Sequence, residues 1–154
     1  ARSAMKSPKN HKNKQERILQ YWLIKSEPFK WSWDQQKEKG VEHWDGVRNY
    51  QASNNMKAMK TGDKAFFYHS NKGLEIVGIV EVVKEYYPDH TDPKGRFGMV
   101  DFKALEDMPN PVTLKEIKAT PEFSDMALVK QSRLSVCPVK KDEWDLICKM
   151  GGLK

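Results

Sequence analysis

The patterned part of the chain begins at residues 21–26, where Tyr-Trp-Leu-Ile-Lys-Ser is an apolar run of strand length and Pro28 closes it. Ser32 and Gln35 stand at capping-box spacing, which predicts a short helix over 33–39 that stops at Gly40. Val41-Glu42-His43 leads into a loop. From Tyr50 the apolar positions Ala52, Met56 and Met59 share a helical face. A helix is expected from 50 to about 60, with Asn49 as N-cap and Gly62-Asp63 as stop and turn. Residues 64–69 form a second strand, 70–73 its turn, and 74–87 a long third strand. Within it Ile76, Gly78, Val80 and Val82 alternate with Val77, Ile79, Glu81 and Val83. Both faces are apolar at the centre, as in a central strand covered on both sides, and Gly78 marks a bulge or bend.

Beyond a polar loop at 88–95, residues 96–105 read as a fourth strand. Thr113 and Glu116 form a second capping box, opening a helix to about Thr120, and another short helix follows near 124–130. A short strand at 134–136 is closed by Pro138, and a last helix at 142–150 ends at Gly151-Gly152. Strands and helices do not alternate regularly, which argues against a doubly wound parallel sheet. The expected class is α+β: a small, curved barrel of mixed or antiparallel strands with flanking helices.

The 154 residues suit one domain, and no apolar run approaches the ~18 residues of a membrane span. Cys137 and Cys148 lack a metal-ligand spacing and suit a reducing, intracellular compartment, cytoplasmic in a bacterium or nuclear in a eukaryote. The net charge of +6 is concentrated. Residues 1–17 carry six basic groups against Glu16, while the rest is close to balanced. This divides the chain into a basic tail at 1–19 and a domain at 20–154. Lys6, Lys9, Lys12, Lys14 and Arg17 in that tail are candidate contacts to a nucleic-acid backbone, since clustered cations attract phosphate without reading sequence.

Candidate chemistry centres on residues 44–52, Trp-Asp-Gly-Val-Arg-Asn-Tyr-Gln-Ala. Asp45-Gly46 signals a turn, and no apolar period crosses it. A loop that carries Trp44, Arg48, Asn49 and Tyr50 to a helix start can stack on a flat group and hydrogen-bond its edge. Three further stretches place polar groups beside aromatics: Lys25-Ser26-Glu27 after Trp22, Tyr68-His69-Ser70, and Arg133 with Ser135. None is a catalytic motif. His69 and Ser70 adjoin, but neighbouring strand residues point to opposite faces. The four His and two Cys have no zinc spacing, and no Gly-rich phosphate loop is present, so neither metal nor cofactor is expected. An aromatic slot with amide, hydroxyl and Arg edges suits a planar heterocycle. Trp31 and Trp33 have a blander role open to them, stapling the first helix to the barrel.

These strings resemble the EVE domain, a member of the PUA-like superfamily. The resemblance is carried by Tyr-Trp-Leu-Ile-Lys-Ser-Glu-Pro at 21–28, the 44–52 stretch, Phe-Tyr-His-Ser-Asn at 67–71, Ile-Val-Gly-Ile-Val-Glu-Val at 76–82 and Arg-Leu-Ser-Val-Cys-Pro-Val at 133–139. It implies a PUA-like pseudobarrel, kinship with YTH domains, and a reader of modified bases such as methylated cytosine in DNA or RNA. By the same similarity Ser26, Glu27 and Trp44 line the pocket, with Tyr68, His69 and Ser70 as another wall. Family members often carry Trp where this chain has Phe97, which makes a cage wall there smaller. The expectation is therefore a monomeric, non-enzymatic reader of nucleic acid carrying a modified base. Its rivals are an enzyme acting on nucleic acid or nucleotides, using Lys25, Glu27, Arg48 and His69, and a protein-interaction module.

Overall fold

The computed structural model describes residues 18–153; the tail at 1–17, with all five of its candidate backbone contacts, lies outside them. The strands are β1 (Tyr21–Ser26), β2 (Val41–His43), β3 (Lys64–His69), β4 (Glu75–Pro88), β5 (Gly98–Thr113) and β6 (Val136–Val139). The helices are α1 (Trp33–Lys39), α2 (Tyr50–Ala58), α3 (Leu114–Lys118), α4 (Ala127–Lys130) and α5 (Lys141–Met150), with a 3₁₀ turn at Pro121–Phe123. The strands form one mixed sheet in the order β2-β5-β4-β3-β1-β6, an open pseudobarrel flanked by the helices. β1 and β3 run parallel, and the other pairs are antiparallel.

Local chemistry explains most boundaries. Ser32 Oγ accepts from Gln35 N at 3.1 Å while Gln35 Oε1 accepts from Ser32 N at 2.8 Å, starting α1. Thr113 and Glu116 repeat the exchange for α3, at 3.1 and 3.0 Å. Gly40 ends α1 at φ 85°, a conformation an L-residue side chain disfavours.

Four boundaries depart from the sequence reading. Residues 41–43, read only as the lead into a loop, pair with β5 as an edge strand. β5 runs to Thr113 rather than 105 because Pro109 and Pro111 sit in a bulge. Pairing to β4 jumps there from Gly78↔Asp107 to Ile76↔Val112, so no ladder bond is asked of either proline. The helix expected near 124–130 is shorter, α4 at Ala127–Lys130, and the 3₁₀ turn at Pro121–Phe123 precedes it. β6 begins later than expected and runs through Pro138, which an edge strand tolerates.

The expected central place of β4 holds. Its two faces carry different packing. Phe66 of β3 stacks on Trp144 of α5 with ring centroids 3.8 Å apart, and Tyr21 lies against the same indole at 4.6 Å. By strand alternation the next residue, Phe67, points to the other face. It meets Trp33 at 5.1 Å and Trp44 at 5.8 Å. Trp33 also covers Gly78, and its Nε1 donates to Asp107 at 2.7 Å. A Cβ on Gly78 would lie 2.2 Å from the Trp33 indole. Gly78→Ala is therefore expected to lower stability by about 1–3 kcal/mol. The check is a urea midpoint that falls at unchanged slope.

Candidate nucleic-acid interface

An open cavity of about 800 Å³ lies where the C-terminal end of β1, the 44–49 loop and the 132–135 segment meet. Its volume is in the range of small-ligand sites. Trp31 and Trp44 are its two tryptophans. Trp44 is half-buried, held edge-on by Phe67 and by Phe102 at 5.6 Å, and its backbone N–H donates to Val100 O at 2.8 Å. Trp31 is fixed through its indole N–H, which donates to Gln36 Oε1 at 2.8 Å. Ser26 Oγ donates to the Trp31 carbonyl, tying β1 to the turn that carries this second ring.

Nine of the thirteen candidate ligand contacts border the cavity: Lys25, Ser26, Glu27, Trp44, Arg48, Asn49, Ser70, Arg133 and Ser135. Several are already engaged. Asn49 Oδ1 accepts from Ala52 N at 2.9 Å, capping α2. Glu27 pairs with Lys30 at 2.9 Å and accepts from Asn71. Lys25 Nζ donates to Ser132 O at 2.8 Å, and burial lowers its pKa.

Arg48 is the most committed. Its Nη1 donates to Asp89 Oδ2 at 3.0 Å and its Nη2 to Thr91 Oγ1 at 3.0 Å. Asp89 is buried and also accepts from Gly46 N at 2.8 Å and from Thr91 N at 2.7 Å. Burial alone would raise the Asp89 pKa, but the hydrogen bonds from Thr91, Gly46 and Arg48 outweigh it and hold the carboxyl well below the usual range. By contrast, no described carboxylate pairs with Arg133, which is exposed. Of the two arginines on the cavity, Arg133 has the charge to offer an incoming phosphate.

Four candidates fall away from the cavity. Trp22 is buried, with its Nε1 donating to Asp63 Oδ2 at 3.2 Å. It lies four residues before Ser26 on an extended strand, roughly 13 Å away. Tyr50 turns outward as α2 starts, 60% exposed, and its ring packs on Phe97 at 4.8 Å. That contact also takes Phe97 out of the cavity wall. Tyr68 is buried, which pushes its phenol up to about 12. His69 Nε2 accepts from Trp33 N at 3.1 Å, fastening the start of α1 to β3. Burial lowers the His69 pKa, in keeping with a neutral acceptor. Sequence reasoning missed Trp31, Lys30, Asn71, Ser132 and His43 as cavity residues. Trp31 had a signal, an aromatic three residues after Pro28 in the turn that leaves β1.

A model of the EVE domain matches residues 20–150. The chain belongs to the EVE-domain family. Among its EVE-domain relatives, mouse thymocyte nuclear protein 1 is 35% identical over 187 residues, spanning 96% of this chain and 80% of the relative. A crystal structure from Agrobacterium tumefaciens is 58% identical, with TM-score 0.85 over 87% of this chain and 94% of that one. The human THYN1 protein, in complex with 5-methylcytosine-containing DNA, is 33% identical, with TM-score 0.81 over 88% of this EVE-domain chain and 99% of that one. Among the described residues no helix is long and apolar enough to cross a membrane.

Asp89 orders the loop that delivers Trp44 and Arg48. Asp89→Ala should lower stability by about 2–4 kcal/mol at neutral pH, since several hydrogen bonds to one buried charge are lost. The folded pKa is depressed, so the contribution is present above the unfolded pKa of ~3.9 and fades as pH falls towards the folded value. Urea unfolding of both proteins at pH 7 and in the acid range below pH 4 should show the gap narrowing on acidification.

Proposed function

We propose that this chain is a non-enzymatic reader that takes a modified cytosine, 5-methylcytosine in DNA foremost, into the cavity between Trp31 and Trp44. The observation that carries this reading is the DNA complex of the human THYN1 protein, whose fold extends over 88% of this chain. The cavity supports it. A base must leave its stack to be read on all its edges, at a cost of a few kcal/mol. Stacking on an indole recovers ~1–3 kcal/mol. Hydroxyls of Ser26, Ser70 and Ser135 and the Asn49 amide stand at the same rim, and Arg133 faces the strand's charge.

The cavity's polar groups argue against the enzymatic rival. Glu27 is held in an ion pair, Arg48 on Asp89, and His69 lies outside the cavity, so the polar set that rival would use is not assembled there. The reader acts as a monomer, and the basic tail adds sequence-blind attraction to the phosphate backbone.

Trp44→Ala should weaken binding of a 5-methylcytosine oligonucleotide by ~1 kcal/mol or more, about fivefold, with the fold retained. Fluorescence anisotropy gives the affinity and circular dichroism the fold; an unchanged affinity in a folded variant rejects the pocket wall. Removing residues 1–17 should weaken methylated and unmethylated ligands by one common factor and flatten the salt dependence. A change in their ratio would assign the tail a part in recognition.

A further inference from the structure

Among the described residues one group of His, Cys, Asp and Glu side chains gathers ligand atoms within 4.8 Å of one another: His43, Asp45 and His90. His43 Nε2 is 4.0 Å from Asp45 Oδ2, and the His43 and His90 rings meet edge-to-face with centroids 5.0 Å apart. We propose that these three side chains bind a transition-metal ion of the zinc type at the wall of the cavity.

Two imidazoles and a carboxylate are the ligand set such an ion takes, with a further position left for water or an anionic oxygen. Bonds of ~2.1 Å in a tetrahedral site put ligand atoms about 3.4 Å apart, so small side-chain rotations close the group around an ion. The support around His43 is that of a ligand. Glu42 Oε1 lies 3.4 Å from His43 Nδ1, on the ring nitrogen opposite Nε2. That carboxylate is fixed in turn by Lys39 Nζ at 2.7 Å and by the His43 backbone N–H at 3.1 Å. A carboxylate on the far nitrogen of a histidine sets its tautomer and raises its basicity towards a metal.

The backbones carrying the ligands are also joined. Asp45 precedes Gly46, whose N–H donates to Asp89, and His90 follows Asp89 directly. A buried carboxylate thus locks the two loops at the point where the ligands project. The surrounding charge favours a cation. Glu42, Asp45, Asp89 and Asp101, the cross-strand partner of His43, crowd this corner, against Lys39, Arg48 and Lys84. His43 and Asp45 line the cavity, so a divalent ion there would place positive charge at that wall. The site stands on these side chains and not on the reader proposal.

The test is isothermal titration of ZnCl2 into the full chain, without nucleic acid. Asp45 and His90 are exposed, so Asp45→Asn and His90→Ala keep the core, which circular dichroism verifies. The expected result is one ion per chain, a large loss of affinity in both variants, and a 10–100-fold loss in Glu42→Gln, which touches no metal. A chain that binds no zinc, or binds it undiminished after His90→Ala, overturns the site.

Discussion

The Asp89 carboxylate is the constraint on which the rest of the site depends. It is a charge without solvent contact, and such a group is tolerable only with its hydrogen bonds supplied. Those donors are Gly46 N, Arg48 Nη1, Thr91 N and Thr91 Oγ1, drawn from two loops that no ladder joins at that point. One buried charge therefore closes the 44–49 loop onto the loop that follows β4. The geometry of Trp44 follows from it. The ring is pinned from below by Phe67 and Phe102, and its loop is pinned from the side by Asp89. Trp44 can then serve a ligand as a rigid wall, with little side-chain entropy left to lose on binding.

A second buried carboxylate does the same at the far end of β1. Asp63 accepts from Gln20 N at 3.1 Å, Trp22 Nε1 at 3.2 Å and Lys60 N at 3.0 Å. It fixes the register of the parallel β1–β3 pair where no hairpin could. Ser26 and Ser70 come to the same rim because that register is set, with Ser70 N donating to Ser26 O at 2.9 Å. The Trp44 loop and the polar rim of the cavity thus have separate anchors, Asp89 after β4 and Asp63 before β3.

This arrangement explains what the sequence disclosed and what it withheld. Segments governed by local chemistry were legible: β1, α1 and β3 run as their pattern predicts, and both capping boxes form. Pro138 misled, and the strand end placed at 105 fell short of Pro109 and Pro111, because whether a strand tolerates proline depends on the ladder beside it, which is tertiary information. Site residues divide the same way. Trp44 and Ser26 could be suspected from a polar loop and a strand end. Trp22, Tyr68 and His69 sit in the same stretches of sequence but serve packing, since strand position and alternation decide which side chain reaches the cavity. Asp89 had no signal at all in a loop rich in Asp and Pro; its weight comes from a partner 41 residues away.

The engagement of the rim has a consequence for selectivity. Arg48, Glu27, Lys25 and Asn49 make internal bonds, so a ligand meets groups already oriented by the fold. Pre-oriented groups add affinity without a reorganisation cost, yet they discriminate only where the ligand leaves one of them unpaired. A methyl on a pyrimidine adds no donor or acceptor. In the proposed reading it would be sensed by fit against an apolar wall, worth ~1–3 kcal/mol, which would limit any preference for the methylated base to roughly ten- to two-hundredfold. Rejection of a different base is another matter. There a buried hydroxyl or amide would lose its partner, and desolvation of that group sets the penalty. On the proposed reading, the polar rim would set which base is accepted, and the tryptophan walls how well its modification is recognised.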